Sequence, residues 1–154
     1  MSRFAESTTV SVEKSRAEIE GVLRRYGATG FISGWNDERA VIGFQMNERQ
    51  VKFYLPLPDA KSKHYARDGR GSLRSADKIY QVWEQDCRQR WRALALVIKA
   101  KLEAVAAGIT VFEDEFMAHI VLPDGQTVGQ VMRPQIESAY REGTMPPLLP
   151  YYGA

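Results

Sequence analysis

Apolar positions recur with two different periods along this chain, and the switch between them marks out the elements. Ile19, Val22, Leu23 and Tyr26 fall at i, i+3, i+4 and i+7, one face of a helix. Ser15 and Glu18 have the spacing of a capping box ahead of that face. Gly27 is free to take the positive φ that ends helices, so the pattern predicts a helix over residues 12–26. The period then becomes two. Phe31, Ser33 and Trp35 alternate with Ile32 and Gly34; Ile42, Phe44 and Met46 with Val41, Gly43 and Gln45; Val51, Phe53 and Leu55 with Lys52 and Tyr54. Asn36-Asp37-Glu38 and Asn47-Glu48 are turn chemistry, and Pro56 and Pro58 end the last run. Three short strands in an antiparallel meander follow, with one face packed on a helix. Gly34 and Gly43 interrupt the alternation and predict bulges or a close approach by another backbone.

Residues 58–75 are polar and predict a long connection, a length that in compact domains is functional or disordered. Ser75 then caps a long helix whose stripe is Ile79, Trp83, Cys87, Trp91, Leu94, Ile98, Leu102 and Val105, ending at Gly108. At ~1.5 Å per residue it spans about 48 Å, which outreaches a domain of this size. A bend, a break near Asp86 or a role in a homo-oligomer is expected. Beyond it, Thr110 and Glu113 repeat the capping-box spacing ahead of Phe112, Phe116 and Ile120. Pro123-Asp124-Gly125 reads as a turn, and Thr127 and Gln130 open another helix. Pro134 either kinks that helix or starts the next, which carries Ile136 and Tyr140 and stops at Gly143. The fold class is therefore α+β: an N-terminal helix, a three-stranded antiparallel meander, one long helix and shorter C-terminal helices. The expected organisation is a flexible arm over 1–10, one domain over 11–143, and an extended Pro-rich tail over 144–154.

Composition narrows the class. A chain of 154 residues, 44% apolar and 26% charged, supports one hydrophobic core and excludes intrinsic disorder. No apolar run approaches the ~20 residues of a membrane span, and the polar start does not read as a secretory signal. Cys87 is the only cysteine, so no internal disulfide can form and a reducing compartment is expected. Placed in a helical pattern, it reads as a small core residue.

Charge is uneven. Residues 1–108 carry 19 Lys and Arg against 13 Asp and Glu, whereas residues 109–154 carry 2 against 6. The stretch 61–101 alone holds 11 basic and 4 acidic residues. Lys61, Lys63, Arg67, Arg70 and Arg74 sit in the connection, and Arg88, Arg92 and Lys99 fall within about 40° of one another on the long helix, roughly opposite its apolar stripe. The expectation is that together they form a phosphate-binding strip, with His64, Tyr65 and Trp35 to stack on bases; the alternative is an ordinary solvated helix face. Arg90 and Lys101 lie at the stripe's edge, where their stems cover the core. Trp83, Trp91, Phe112 and Phe116 read as core aromatics.

Catalytic chemistry has little to work with. Glu115 and His119 have the i, i+4 spacing of paired metal ligands, but no second histidine joins them, and acids at 113–115 suit a helix N-terminus in any case. Gly69-Arg70-Gly71 is too short for a phosphate loop. No catalytic residue, metal or cofactor is assigned.

Two segments carry a resemblance. Val12 to Glu20, running on through Arg25-Tyr26-Gly27-Ala28, and Arg90 to Val105, followed by Ile120 to Gly125, resemble a group of small tailed-phage and prophage proteins to which no activity is assigned. The resemblance implies a setting in the cytoplasm of an infected bacterium. Small proteins there serve DNA replication and recombination or inhibit host factors. The expectation is an accessory protein of DNA metabolism that binds nucleic acid, single-stranded by preference, through the basic loop and helix face. The alternative is a non-enzymatic protein–protein module, a phage-encoded modulator of a host or defence complex, working through the acidic C-terminal third and the tail.

Overall fold

The computed structural model of the chain describes residues 4–144; the expected tail from Met145 onward lies outside the described residues. Helix α1 spans Val12–Arg25. Its cap is Ser11, whose extended backbone lets the side chain accept from the Lys14 amide at 3.1 Å. The expected cap, Ser15, lies one turn inside the helix instead, fully buried and with no hydrogen bond to its Oγ. Glu18, freed from a capping role, reaches Arg92 on the long helix.

Strands β1 (Gly30–Trp35), β2 (Arg39–Met46) and β3 (Arg49–Pro56) form the antiparallel meander in sequence order. The register pairs Phe31 with Phe44, and Ile42 with Phe53, so the alternating apolar set lands on one face. Ile42, Phe44, Met46, Val51 and Phe53 are buried there. The pairing runs through Gly34 and Gly43 without a bulge. Gly43 is required for a different reason: a Cβ on it would stand 2.8 Å from Ile32 Cγ1, because the Ile32 side chain lies across it on the outer face. The β2–β3 turn holds Asn47 at φ 51° and Glu48 at φ 61°. Two consecutive left-handed residues make the turn whose twist matches the flanking strands.

Helix α3 spans Ala76–Ala106, 31 residues without a break, and Ser75 caps it through the Lys78 amide. Its buried residues are Cys87, Trp91, Leu94, Ala95, Ile98 and Leu102. The first three turns contribute none, so Ile79 and Trp83 drop out of the expected core stripe. Asp86 does not break the helix; it accepts the Tyr65 hydroxyl at 2.5 Å. Polar ties join α1 to α3 at both ends of their contact, Glu18 to Arg92 and the Tyr26 hydroxyl to Glu103. The connection 58–75 is folded rather than loose. It contains the short helix α2 (Lys63–Ala66), a bridge between Arg67 and Leu73, and an Asp68 carboxylate that accepts the amides of Arg70 and Ser72. Residues of the arm also meet α3: Gln85 donates to the carbonyls of Glu6 and Thr8, and Gln89 to that of Phe4.

Helix α4 is only Phe112–Phe116, followed by a 3₁₀ turn at Met117–His119. Thr110 does not cap it. Val111 holds that position with no side-chain bond, and Phe112 and Phe116 anchor the helix by burial. Phe116 stands edge-on to both Phe44 and Phe53. The chain then runs beside β3, where the Val121 amide meets the Gln50 carbonyl at 2.8 Å. Helix α5 (Val128–Glu142) starts with the expected capping box of Thr127 and Gln130, passes through Pro134 as one helix, and ends at Gly143 with φ 67°. Only its first turn is well packed, with Val128 buried and Gly129 close against Ala118. No helix among the described residues is long and apolar enough to cross a membrane.

Glu48 carries a side chain where glycine is at ease, at a penalty of about 1 kcal/mol. Glu48→Gly is therefore expected to stabilise the fold by about that amount, read as a higher denaturation midpoint. An unchanged midpoint would contradict the turn geometry.

Candidate functional site

Four segments meet around a cleft of about 600 Å³. The start of α1 supplies Glu13 and Arg16, the β1–β2 turn supplies Trp35 to Asp37, the chain after β3 supplies Leu57 to Lys61, and α3 supplies Tyr80, Trp83, Glu84, Cys87, Arg88 and Trp91. All three tryptophans of the chain line it. The volume falls within the ~300–1,000 Å³ of small-ligand sites.

Each wall has a local cause. Trp91 and Cys87 form a buried floor because α3 turns its apolar stripe inward from residue 87 onward. Trp83 is half-buried, and its indole N–H donates to the Pro58 carbonyl at 2.7 Å, which fixes the ring and draws the loop onto the helix. Tyr80 lies one turn earlier with its ring 5.6 Å from that of Trp83. Trp35 ends β1 on the inward-pointing side of the sheet, opposite the buried Ala40, but β1 is an edge strand, and the residue is 70% exposed beside the cleft. Asn36 accepts the amides of Glu38 and Arg39, which holds the turn that carries Trp35 and Asp37.

The sequence-predicted cations divide into groups. Lys61 and Arg88 line the cleft. Lys63 and Arg70 are exposed further along the folded loop and do not line the cleft. Arg67 donates to the Gly71 carbonyl at 2.7 Å and Arg74 to the Tyr65 carbonyl at 3.3 Å, so both help hold the loop closed. The expected ridge on α3 is not one continuous cationic surface. Arg88 is held by Glu84 at 3.1 Å and by Gln85 from the preceding turn of α3 itself, and Arg92 by Glu18 because α1 packs on that flank of the helix. Lys99 is exposed but lies about 16 Å further along the axis than Arg88, away from the loop. His64 packs edge-on against Tyr65, whose ring is buried under the loop and whose hydroxyl is committed to Asp86. Burial, and then that bond, push the Tyr65 hydroxyl well above its ordinary pKa. Tyr65 is thus part of the loop's foundation, whereas Tyr80 and Trp83, read from sequence as unassigned or core, face the cleft. The signal for them was positional: apolar residues on the first turns of a helix too long for its core.

Arg90 donates to the Pro56 carbonyl at 2.7 Å, and Lys101 pairs with Glu115 at 3.1 Å. With Glu115 so engaged, His119 turns the other way and stacks on Phe53 at 3.8 Å between centroids. Burial, and then the nearby Lys101, lower its pKa, against a backbone hydrogen bond to Lys52. The pair expected to share a face is therefore split between an ion pair and an aromatic stack. Among the described residues no three His, Cys, Asp or Glu side chains converge as metal ligands. Burial also raises the Cys87 thiol to about 11, so it is a poor nucleophile near neutrality.

No protein-family model, curated protein or solved structure matches this chain.

These titrations make two expected outcomes. Iodoacetamide should alkylate Cys87 in the folded protein at pH 8 at least about tenfold more slowly than in the unfolded chain, with the folded rate climbing up to about pH 11. Equal rates would contradict its burial. His119 has a folded pKa below its ordinary 6.5, so the neutral form is the one the fold favours. Its contribution is present above 6.5 and is lost as pH falls toward the folded value. His119→Phe should keep the stack on Phe53 and lose part of the drop in urea stability between pH 7.5 and pH 5; an unaltered drop would assign it elsewhere.

Proposed function

We propose that the protein binds single-stranded nucleic acid, with bases stacked in the tryptophan cleft and the phosphate backbone following the exposed cations of the 61–74 loop. The observation that carries this reading is contiguity. Lys61 belongs both to the loop and to the cleft wall that Trp35, Tyr80 and Trp83 line, and the exposed Lys63 and Arg70 follow it along the same loop. Stacking platforms flanked by a basic track are what sequence-tolerant single-strand binding requires. Each stacked base is worth about 1–3 kcal/mol, and each phosphate contact adds to the salt dependence. The cleft's lining, with Glu13, Asp37, Asp59 and Glu84 outnumbering Arg16, Lys61 and Arg88 by one, suits a base rather than a phosphate inside it. In the phage setting that the sequence resemblance implies, such a protein is an accessory of DNA metabolism.

A second reading rests on a different surface. On α5, Ile136 and Tyr140 are exposed, Tyr140 at 88%, and the acidic balance of this third of the chain suits a basic protein partner. That is the protein–protein module, and it uses no residue of the cleft.

Fluorescence anisotropy with labelled oligonucleotides tests the first reading. Affinity should fall steeply between about 50 and 200 mM salt. Trp35→Ala, at an exposed strand end, should lower affinity about 10–100-fold. Arg70→Gln should reduce the salt slope by about one. Absence of binding at the lower salt would overturn the reading.

A further inference from the structure

Resting on the single-strand reading, we infer that the cleft prefers guanine over the other bases. The preference follows from the polar groups left over once the internal bonds are made. Glu84 is held by Arg88, and one oxygen of Asp59 accepts the Lys61 amide. Glu13 and Asp37 line the same cleft, and among the described residues neither carboxylate has a hydrogen-bond or ion-pair partner; Arg16 and Lys61 likewise have no ion pair. The cleft therefore offers a base two open carboxylates, two open cations and aromatic walls.

Only one base matches that set. Guanine presents two adjacent donors, N1–H and the N2 amino group, to a single carboxylate, and two acceptors, O6 and N7, to a cation. Adenine and cytosine each place a ring acceptor next to their amino group, where a carboxylate is repelled. Thymine and uracil place one N–H between two carbonyls. Charge-assisted bonds of this kind are among the stronger protein hydrogen bonds, and a mismatched edge leaves the carboxylate facing an acceptor. Asp37 is the better placed of the two acids. It lies two residues after Trp35 in a turn whose backbone Asn36 holds with two hydrogen bonds, so the carboxylate and the stacking ring are carried by one fixed turn. Glu13 reaches the cleft from a different element, the first turn of α1.

The test uses thymidylate oligomers of about twelve nucleotides, within the ~4–16-nucleotide site sizes of single-strand binders. Each carries one guanine, adenine or cytosine at its centre, and a fourth is unmodified. Tryptophan quenching reads binding directly, because every tryptophan lines the cleft. The guanine oligomer should bind at least about fivefold more tightly than the other three, and Asp37→Asn should bring it to within about twofold of them. Equal affinity for all four would overturn the guanine preference and leave single-strand binding standing. A guanine preference that survives both Asp37→Asn and Glu13→Gln would overturn this assignment of the contacts. No binding by any oligomer would overturn both the preference and the reading beneath it.

Discussion

A helix of 31 residues, about 46 Å long, is laid against strands of eight residues, about 26 Å, and that mismatch of lengths shapes the whole molecule. The sheet and α1 cover α3 only from Cys87 onward. The uncovered N-terminal turns still carry Trp83 and Tyr80, large apolar surfaces that a lone helix would leave in water. The 58–75 connection resolves this by folding back. Its Tyr65 is buried against Asp86, and its Pro58 carbonyl takes the Trp83 indole. The loop covers the helix without filling the corner between helix, strand end and α1. The cleft is that corner.

The same arrangement explains why the basic residues act differently from one another. A cation on a helix face flanked by another helix finds an acid there, as Arg92 finds Glu18. A cation on the folded loop has only solvent on its outer side, as Lys63 and Arg70 do. Positive charge is therefore available where the chain doubles back and largely neutralised where it packs. Exposed aromatics follow the same logic. Trp35 stays in water because β1 is the edge strand of the sheet, even though its partner Ala40 is buried, so a ring that would otherwise be a packing residue becomes a surface for stacking.

Much of this fold is legible in the order of residues. The alternation of Ile42, Phe44 and Met46, the turn at Asn47-Glu48, and the capping box at Thr127 and Gln130 each state a local geometry that tertiary contacts do not override. The caps at Ser15 and Thr110 mislead because spacing alone does not reveal which serine has extended backbone, or that burial of Phe112 and Phe116 holds a helix without any cap. Gly43 was readable as a close approach, but not as one by the Ile32 side chain, since that needs the cross-strand register. At the cleft, the cations of 61–74 could be seen in sequence. The partnership of Tyr80 and Trp83 with Trp35 could not, because it depends on where the core ends along α3, a property of the assembled layers.

The most direct test of the central claim is a two-dimensional ¹H–¹⁵N NMR titration with a short single-stranded oligonucleotide, following the three indole N–H signals beside the backbone amides. Ligand in the tryptophan cleft should shift the Trp35 indole strongly, together with amides of Asp37, Lys61 and the 61–74 loop, and leave α5 at rest. Shifts confined to Ile136, Tyr140 and their neighbours, with all three indoles unmoved, would contradict the account and transfer function to the C-terminal helix.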